Sequence, residues 1–264
     1  MTGLPIWYEL MVPDIAAVRD FYRAVAGWEI PESGSPVGTG AMDYRGIQRG
    51  DGGMAGGAMQ MSRDMIDHGA KPGWLAYFHV DDVAAAVARV ESLGGKVHMP
   101  PRTIDVGTMA MVADPQGAPF YVMKPNPPAG RPDAQSDVFQ PDTPGHCWWN
   151  ELTTPDEPGA TAFYTALLGW NADQAMPMGD KGNYRFIACE GRPIGAISPW
   201  MRDWMGVAWL PYFGVADIHA AFAAAQEHGG TVRGEIHEVP GGDLIFSATD
   251  PAGAPVAFVG KKEQ

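Results

Sequence analysis

Apolar residues near the start of the chain follow one period and then another. Tyr8, Leu10 and Val12 alternate with Trp7, Glu9 and Met11. That is the two-residue period of a half-buried strand, one face packed and one open. After Asp14, the residues Ile15, Val18, Tyr22 and Val25 recur at helical spacing until Gly27. The spacing predicts a helix capped by Asp14 and stopped where Gly27 supplies a left-handed residue. Two short segments of strand character follow, "MDYRGIQRG" and "GGAMQM". The same order returns three times. In the second quarter Asp82 caps, Val83, Val87 and Val90 face inward, and Gly94-Gly95 stop the helix. Asp217 and Gly229-Gly230 do this in the fourth. In the third, Pro158 and Gly159 predict a later helix start. The pattern is β-α-β-β-β, four times over.

The wording repeats as well as the pattern. "WYELMVPDIAAVRDFYRAVAGW" from Trp7 matches "WNELTTPDEPGATAFYTALLGW" from Trp149 without a gap. "WLAYFHVDDVAAAVARVESLGGKV" from Trp74 matches "WLPYFGVADIHAAFAAAQEHGGTV" from Trp209, and "DPQGAPF" at Asp114 matches "DPAGAPV" at Asp250. Tyr44, Arg45 and Ile47 correspond to Tyr184, Arg185 and Ile187. Between the halves, Lys124 to Gly145 is rich in Pro, Asp and Gly and has no apolar period, as a linker would. The expected division is a first domain over 1–124 (modules 1–66 and 72–124), a linker over 125–145, and a second domain over 146–264 (modules 146–202 and 207–260).

Composition narrows the function classes. With 264 residues and 45% hydrophobic positions the chain can build a substantial core. A formal net charge of −13, with no run of Lys or Arg, argues against a nucleic-acid partner. The two cysteines, Cys147 and Cys189, have neither CxxC spacing nor a Cys/His cluster, and read as small buried residues in a reducing compartment. The opening "MTGLPIWYEL" lacks signal-peptide character and no apolar run reaches membrane length. The expectation is a cytoplasmic protein with no membrane partner. "RGDGGMAGGAMQM" is Gly-rich but lacks the Gly-Lys-Ser ending of a phosphate loop, and reads as a turn between strands.

Four βαβββ modules, the capping Asp, "FY…GW" in the helix and "DPxG" before the last strand resemble the vicinal-oxygen-chelate superfamily. That group includes glyoxalase I, bleomycin-resistance proteins, fosfomycin-resistance enzymes and extradiol dioxygenases. The resemblance covers nearly the whole chain outside the linker. It implies an α+β fold in which the four modules form two glyoxalase-like domains, each a cup. It places the family's metal ligands at Trp7, Leu75 and Tyr121, and at Trp149, Leu210 and Ala257. None is an imidazole or a carboxylate, so no metal and no other cofactor is expected at that position. Single-domain relatives pair two chains into the assembly. Here one chain carries both units, and either a monomer or a homodimer is compatible.

By alternation the inner faces carry Trp7, Glu9 and Met11 in the first domain and Trp149, Glu151 and Thr153 in the second. The second modules add Leu75, Tyr77 and His79, and Leu210, Tyr212 and Gly214. With Tyr121 these make apolar, aromatic surroundings with few polar groups, as a small-molecule site requires. Each Glu has three readings. It is held in a buried pair, with Arg45 or Arg185 as bidentate partner; it contacts a ligand; or it exchanges a proton, its pKa raised by desolvation. His79 has only Gly214 opposite it in the repeat, so Glu9 and His79 form a candidate acid–base pair, or two ligands of a displaced divalent metal, confined to the first cup. The expected function is a small-molecule-binding protein. One version acts as a metal-independent lyase or isomerase on a carbonyl compound. The alternative sequesters its ligand without chemistry, and a metal-dependent dioxygenase ranks last.

Overall fold

A computed structural model describes residues 2–37, 42–127, 130–131 and 134–262. The first quarter contains β1 (Pro5–Val12), α1 (Ala16–Ala26), β2 (Ser35–Val37), β3 (Met42–Gln48), β4 (Met54–Gln60) and a short α2 (Arg63–Asp67). The second contains β5 (Gly73–His79), α3 (Val83–Ser92), β6 (Lys96–Ile104), β7 (Gly107–Ala113) and β8 (Pro119–Pro125). The third contains β9 (Cys147–Thr153), α4 (Glu157–Leu168), β10 (Ala175–Pro177), a 3-10 turn at Gly179–Lys181, β11 (Asn183–Cys189) and β12 (Arg192–Ser198). The fourth contains β13 (Ala208–Gly214), α5 (Ile218–Glu227), β14 (Thr231–Val232), β15 (His237–Glu238), β16 (Asp243–Thr249) and β17 (Pro255–Lys261).

Each quarter has the same strand order: β2-β3-β4-β1, then β6-β7-β8-β5, β10-β11-β12-β9, and β14-β16-β17-β13 with β15 also on β16. The first and last strands of a quarter are parallel, with Glu9 beside Gly57, Tyr77 beside Tyr121, Glu151 beside Ala196 and Tyr212 beside Ala257. A parallel pair needs a crossover, and the long helix between them supplies it. Among the described residues no helix is long and apolar enough to cross a membrane.

The caps follow the sequence closely. Asp82 accepts from Ala85 N–H at 3.0 Å, and Asp217 accepts from His219 and Ala220. Asp14 accepts from Ala16 N–H at 2.8 Å, although Ile15 is the residue that borders the helix. Gly27 (φ 68°) and Gly169 (φ 70°) end α1 and α4 in the left-handed region. The delayed start expected of the third helix is corrected. α4 begins at Glu157, with Asp156 bonded to Gly159 N–H at 2.9 Å. Proline has no N–H to satisfy in a first turn and its φ is already helical, so Pro158 helps the start it was expected to postpone.

Two compact units emerge, and neither is a contiguous half of the chain. One comprises Met1–Ile6, Leu75–Ser136 and Trp149–Leu210; the other comprises Trp7–Trp74, Asp137–Trp148 and Pro211–Gln264. Each is held by a buried relay built from the repeated motifs. In the second unit the Tyr22 hydroxyl accepts from Trp74 Nε1 at 2.9 Å and donates to Asp250 Oδ2 at 3.0 Å. Asp250 Oδ1 accepts from Ala252 and Ala254 N–H. In the first unit Trp209, Tyr164 and Asp114 repeat this at 3.0 and 3.1 Å, with Asp114 Oδ1 on Gln116 and Ala118. The "FY", "WL" and "DPxG" signatures are therefore the three parts of one device. Burial pushes Asp250 up to about 6 against its hydrogen bonds, raises Asp114 likewise, and holds both tyrosines well above the usual phenol range.

Aromatic rings fill the space around each relay. Trp28 stacks on Tyr22 and meets Phe213 edge-on at 4.8 Å; Trp170 stacks on Tyr164 and meets Phe78 at 5.0 Å. The repeated Gly-Gly pair has a packing reason beyond its cap. A Cβ on Gly230 would lie 2.5 Å from Phe21, and one on Gly95 would lie 2.5 Å from Ala113 O and 3.2 Å from Phe163. Part of the segment expected to link the halves is packed. Val138 and Phe139 are buried, and Asp137 pairs with the buried Arg49 at 2.6 Å.

Candidate functional site

On β1 the alternation holds. Tyr8, Leu10 and Val12 are fully buried on one face, with Tyr8 edge-on to Phe213 at 5.6 Å. Trp7, Glu9 and Met11 take the other face. The registers extend that face across the quarter. Glu9 sits beside Gly57 of β4, which sits beside Gly46 of β3. Met11 sits beside Met59, which sits beside Tyr44. Trp7 Nε1 donates to the Tyr44 hydroxyl at 2.8 Å, spanning the row that Glu9 shares with the two glycines. The Tyr44 ring lies across Gly57 so closely that a Cβ there would fall 2.1 Å from its hydroxyl. Met54 covers Gly46 in the same way, at 2.4 Å. Glu9 is only 4% exposed. Burial, and then the Glu9 charge, raise the Tyr44 pKa above the ordinary phenol range, so Tyr44 keeps its proton.

The repeat in the third quarter has the same frame and different contents. Trp149 Nε1 donates to the Tyr184 hydroxyl at 2.9 Å, and Tyr184 donates to Glu151 Oε2 at 2.9 Å. Glu151 also forms an ion pair with Arg202, whose Nη1 donates to Thr153 Oγ1 at 2.8 Å. Beside Glu151 the row continues with Ala196 and Phe186, where the first quarter has Gly57 and Gly46. The Phe186 ring meets Trp149 at 6.2 Å and Tyr184 at 5.4 Å. On one face Tyr44 and Met54 lie over two glycines; its repeat carries a phenyl ring and a guanidinium.

Arg202 was not among the residues singled out, yet the repeat contains the clue. "SRDM" at Ser62 and "MRDW" at Met201 place Arg63 and Arg202 in register. Arg63 turns away, 87% exposed, to pair with Asp67 one helical turn on. The expected pairing of Glu9 and Glu151 with Arg45 and Arg185 is corrected. Each arginine follows the inward tyrosine by one residue, so it points to the opposite face. Arg45 binds Asp43 and the Pro31 carbonyl; Arg185 binds the buried Glu157 at 2.9 Å and the Ala172 carbonyl.

In the first unit, Tyr77 and Tyr121 stack with centroids 4.1 Å apart. His79 ends the same strand, and its backbone bonds to Gly3 and Leu4. Glu9 lies five residues beyond Leu4, roughly 16 Å along an extended strand. Burial lowers the His79 pKa, and its Nδ1 is enclosed without a hydrogen-bond partner among the described residues. Gly214, at the matching place in the second unit, makes room for Trp148; a Cβ there would come 2.0 Å from its Nε1. Tyr212 is buried beside Ala257.

The positions at which the resemblance places a metal do not fit one. Trp7, Leu75 and Tyr121, and Trp149, Leu210 and Ala257, present indole, alkyl and phenol groups, and no imidazole or carboxylate. Among the described residues no three His, Cys, Asp or Glu side chains gather as ligands.

Comparison with known proteins gives concordant results. The family model described as Glyoxalase/Bleomycin resistance protein/Dioxygenase superfamily matches residues 5–122 and 144–258. The CFP32 protein of Mycobacterium tuberculosis (strain CDC 1551 / Oshkosh), whose name proposes a glyoxylase, is 30% identical over 253 residues, 96% of this chain and 92% of its own. The anthracycline biosynthesis protein DnrV of Streptomyces peucetius is 31% identical over 285 residues, 99% of this chain and 94% of its own. Among solved structures, the Mn(II)-bound glyoxalase from Novosphingobium aromaticivorans superposes with a TM-score of 0.65 at 18% identity, covering 99% of this chain and 83% of that one. That likeness concerns the fold.

Proposed function

The chain belongs to the glyoxalase/bleomycin resistance protein/dioxygenase superfamily, and from that premise we propose that it binds a small planar organic molecule without transforming it. The site is the face of the first quarter that carries Trp7, Glu9 and Met11. The observation that carries this reading is the row beside Glu9, where Gly57 and Gly46 stand in place of Ala196 and Phe186 and are covered by the Tyr44 ring and the flexible Met54 side chain. Trp7 and Tyr44 offer flat aromatic surface, Met11 and Met59 adaptable apolar contact, and Glu9 a fixed acceptor. Sequestration is favoured over a lyase or isomerase because the groups that line this face beside the Glu9 carboxylate are aromatic and apolar. The names of the Streptomyces relatives make a polycyclic aromatic ligand a reasonable first probe.

Fluorescence titration with an anthracycline tests the reading. Saturable binding is expected, and Gly57→Ala, which forces Tyr44 out of place, should weaken it at least 10-fold. Circular dichroism and the melting temperature check that the variant folds. Steady turnover of the methylglyoxal–glutathione adduct, with or without added Mn(II), would refute a purely binding role. Unchanged affinity in folded Gly57→Ala would refute the site.

A further inference from the structure

The segment after the first helix closes the outer edge of β3, and its repeat closes that of β11, but not in the same way. In the third quarter Asn171 and Ala188 exchange backbone hydrogen bonds, and Met176 lies beside Tyr184. Between these two points Phe186 N–H donates to the Gln174 carbonyl at 3.0 Å. In the first quarter Glu29 and Gln48 make the same exchange at 2.8 and 2.9 Å, and Ser35 lies beside Tyr44. Five residues, 30–34, join those points, against four, 172–175, in the repeat. An extra residue in a ladder bows the chain that carries it and interrupts the pairing. Among the described residues, no backbone hydrogen bond from 30–34 reaches Gly46, the counterpart of Phe186. An open cavity of about 480 Å³ stands there, lined by Gly46, Gln48 and Met54 from the sheet, by Ile30 and Pro31, and by Arg19 of α1. The bow is pinned, because Arg19 Nε donates to the Ile30 carbonyl at 2.8 Å and Arg45 donates to that of Pro31. Residues that turn their N–H and C=O to one neighbour recur at every second position of an antiparallel strand. Tyr44 and Gln48 turn theirs to this edge, so Gly46 turns its own into the gap.

We propose that this cavity binds a small neutral molecule through one planar amide or lactam group, which takes the place of Gln174 opposite Gly46. The ligand carbonyl accepts from Gly46 N–H, the ligand N–H donates to the Gly46 carbonyl, and its apolar part lies against Ile30, Pro31 and Met54. Glycine suits the role, since a bare strand position lets another group come close to the backbone. The volume falls within the roughly 300–1,000 Å³ of small-molecule sites. An added peptide strand does not fit, because Ser35 closes the edge on one side of Gly46 and Glu29 on the other, leaving one residue on offer. Charge on the ligand gains nothing either. Arg19 faces Glu32 at 3.7 Å and Arg23 holds Glu29 at 2.9 Å, so the acids and bases around the mouth are already matched. This site at the sheet edge goes beyond the binding role given to the face that carries Glu9, and neither depends on the other.

Two probes of nearly one shape test this: isocarbostyril, a neutral aromatic lactam, and N-methylisocarbostyril, which keeps the carbonyl and loses the N–H. Nuclear magnetic resonance of the nitrogen-15-labelled full chain reads the Gly46 amide directly. Isocarbostyril should shift the Gly46 cross-peak saturably and leave that of Phe186 in place. The N-methyl compound should bind about 10-fold more weakly, because it leaves the Gly46 carbonyl without a donor. Gln48→Trp puts an indole into the cavity from an exposed strand position and should abolish the shift at a wild-type melting temperature. Hydrogen exchange on the free wild-type chain gives a further readout: Gly46 N–H should exchange roughly 10-fold or more faster than Phe186 N–H. Equal protection of the two amides shows a closed edge and overturns the inference. So does an unmoved Gly46 peak at the solubility limit of isocarbostyril, equal affinity for the two probes, or a shift that survives in folded Gln48→Trp. If that variant does not fold, the wild-type comparisons decide.

Discussion

Replacing Tyr22 by Phe removes one oxygen from the centre of the second unit and keeps the ring. That oxygen serves two groups. It donates to Asp250, which is 3% exposed, and accepts from Trp74 Nε1 at 2.9 Å. Losing a hydrogen bond to a buried carboxylate costs about 1.5–3 kcal/mol, and an orphaned indole N–H about 1–3 kcal/mol more. A total near 3 kcal/mol would lower the melting temperature by roughly 6–12 °C in a chain of this size. The loss should also depend on pH. Asp250 titrates near 6 in the folded protein against 3.8 ordinarily. Stability that its protonated form contributes is full below about 4 and is lost as pH rises through 6. The loss amounts to about 3 kcal/mol for a shift of this size. The Tyr22 hydroxyl holds that value down. Without it the folded-state pKa moves further up, and the loss continues beyond pH 6. Urea unfolding of wild type and Tyr22→Phe at pH 4.5 and 7.5 should show a gap that widens at the higher pH. A gap under 0.5 kcal/mol, or one that narrows from pH 4.5 to 7.5, would refute the relay as described.

Three further outcomes follow from the geometry. Arg185→Met leaves the Glu157 carboxylate, 5% exposed, without its ion pair and should cost about 3 kcal/mol in urea unfolding. The double variant with Glu157→Met should recover most of that, and a single variant as stable as wild type would show the pair to be idle. Gly95→Ala drives a methyl against Ala113 O and the Phe163 ring and should destabilise by about 1–3 kcal/mol, measured by thermal melting. Arg49→Leu releases Asp137 and the Met54 carbonyl, so limited proteolysis should cut near residue 137 much faster than in wild type.

The repeat of modules was legible because capping aspartates, terminal glycines and a two-residue period are local signals, each with one physical cause. The inward direction of Glu9 followed from the same period. What escaped was the partnership of side chains from different strands. Arg45 and Arg185 were paired with the glutamates because they repeat, yet the period that put Glu9 inside puts Tyr44 inside and Arg45 outside. Applying alternation to β3 as well as β1 would have corrected this from the sequence. Arg202 lay in a segment read only as a module end, and its register with Arg63 was visible but carried no hint that one would fold inward. Glu9 and His79 were joined by sharing an inner face. Alternation fixes a face and leaves position along the strand open, so it does not by itself bring the two side chains together. The composition of the two units was illegible for a related reason. Motifs announce modules, and which modules share a core depends on helix packing at long range.

The relay between Tyr22 and Asp250 joins residues 228 positions apart, and this sets an order of events on the ribosome. At about 5–20 residues per second, Tyr22 waits roughly 10–45 seconds for its partner to be made. The helix that α1 packs against, α5, emerges only in the last quarter. The first unit is fully translated by Leu210, while the other lacks its last segment until the end of the chain. The nascent protein therefore passes through a stage in which its earliest-made helix is the last to be buried, and that helix is where a chaperone or a misfolding partner finds it first.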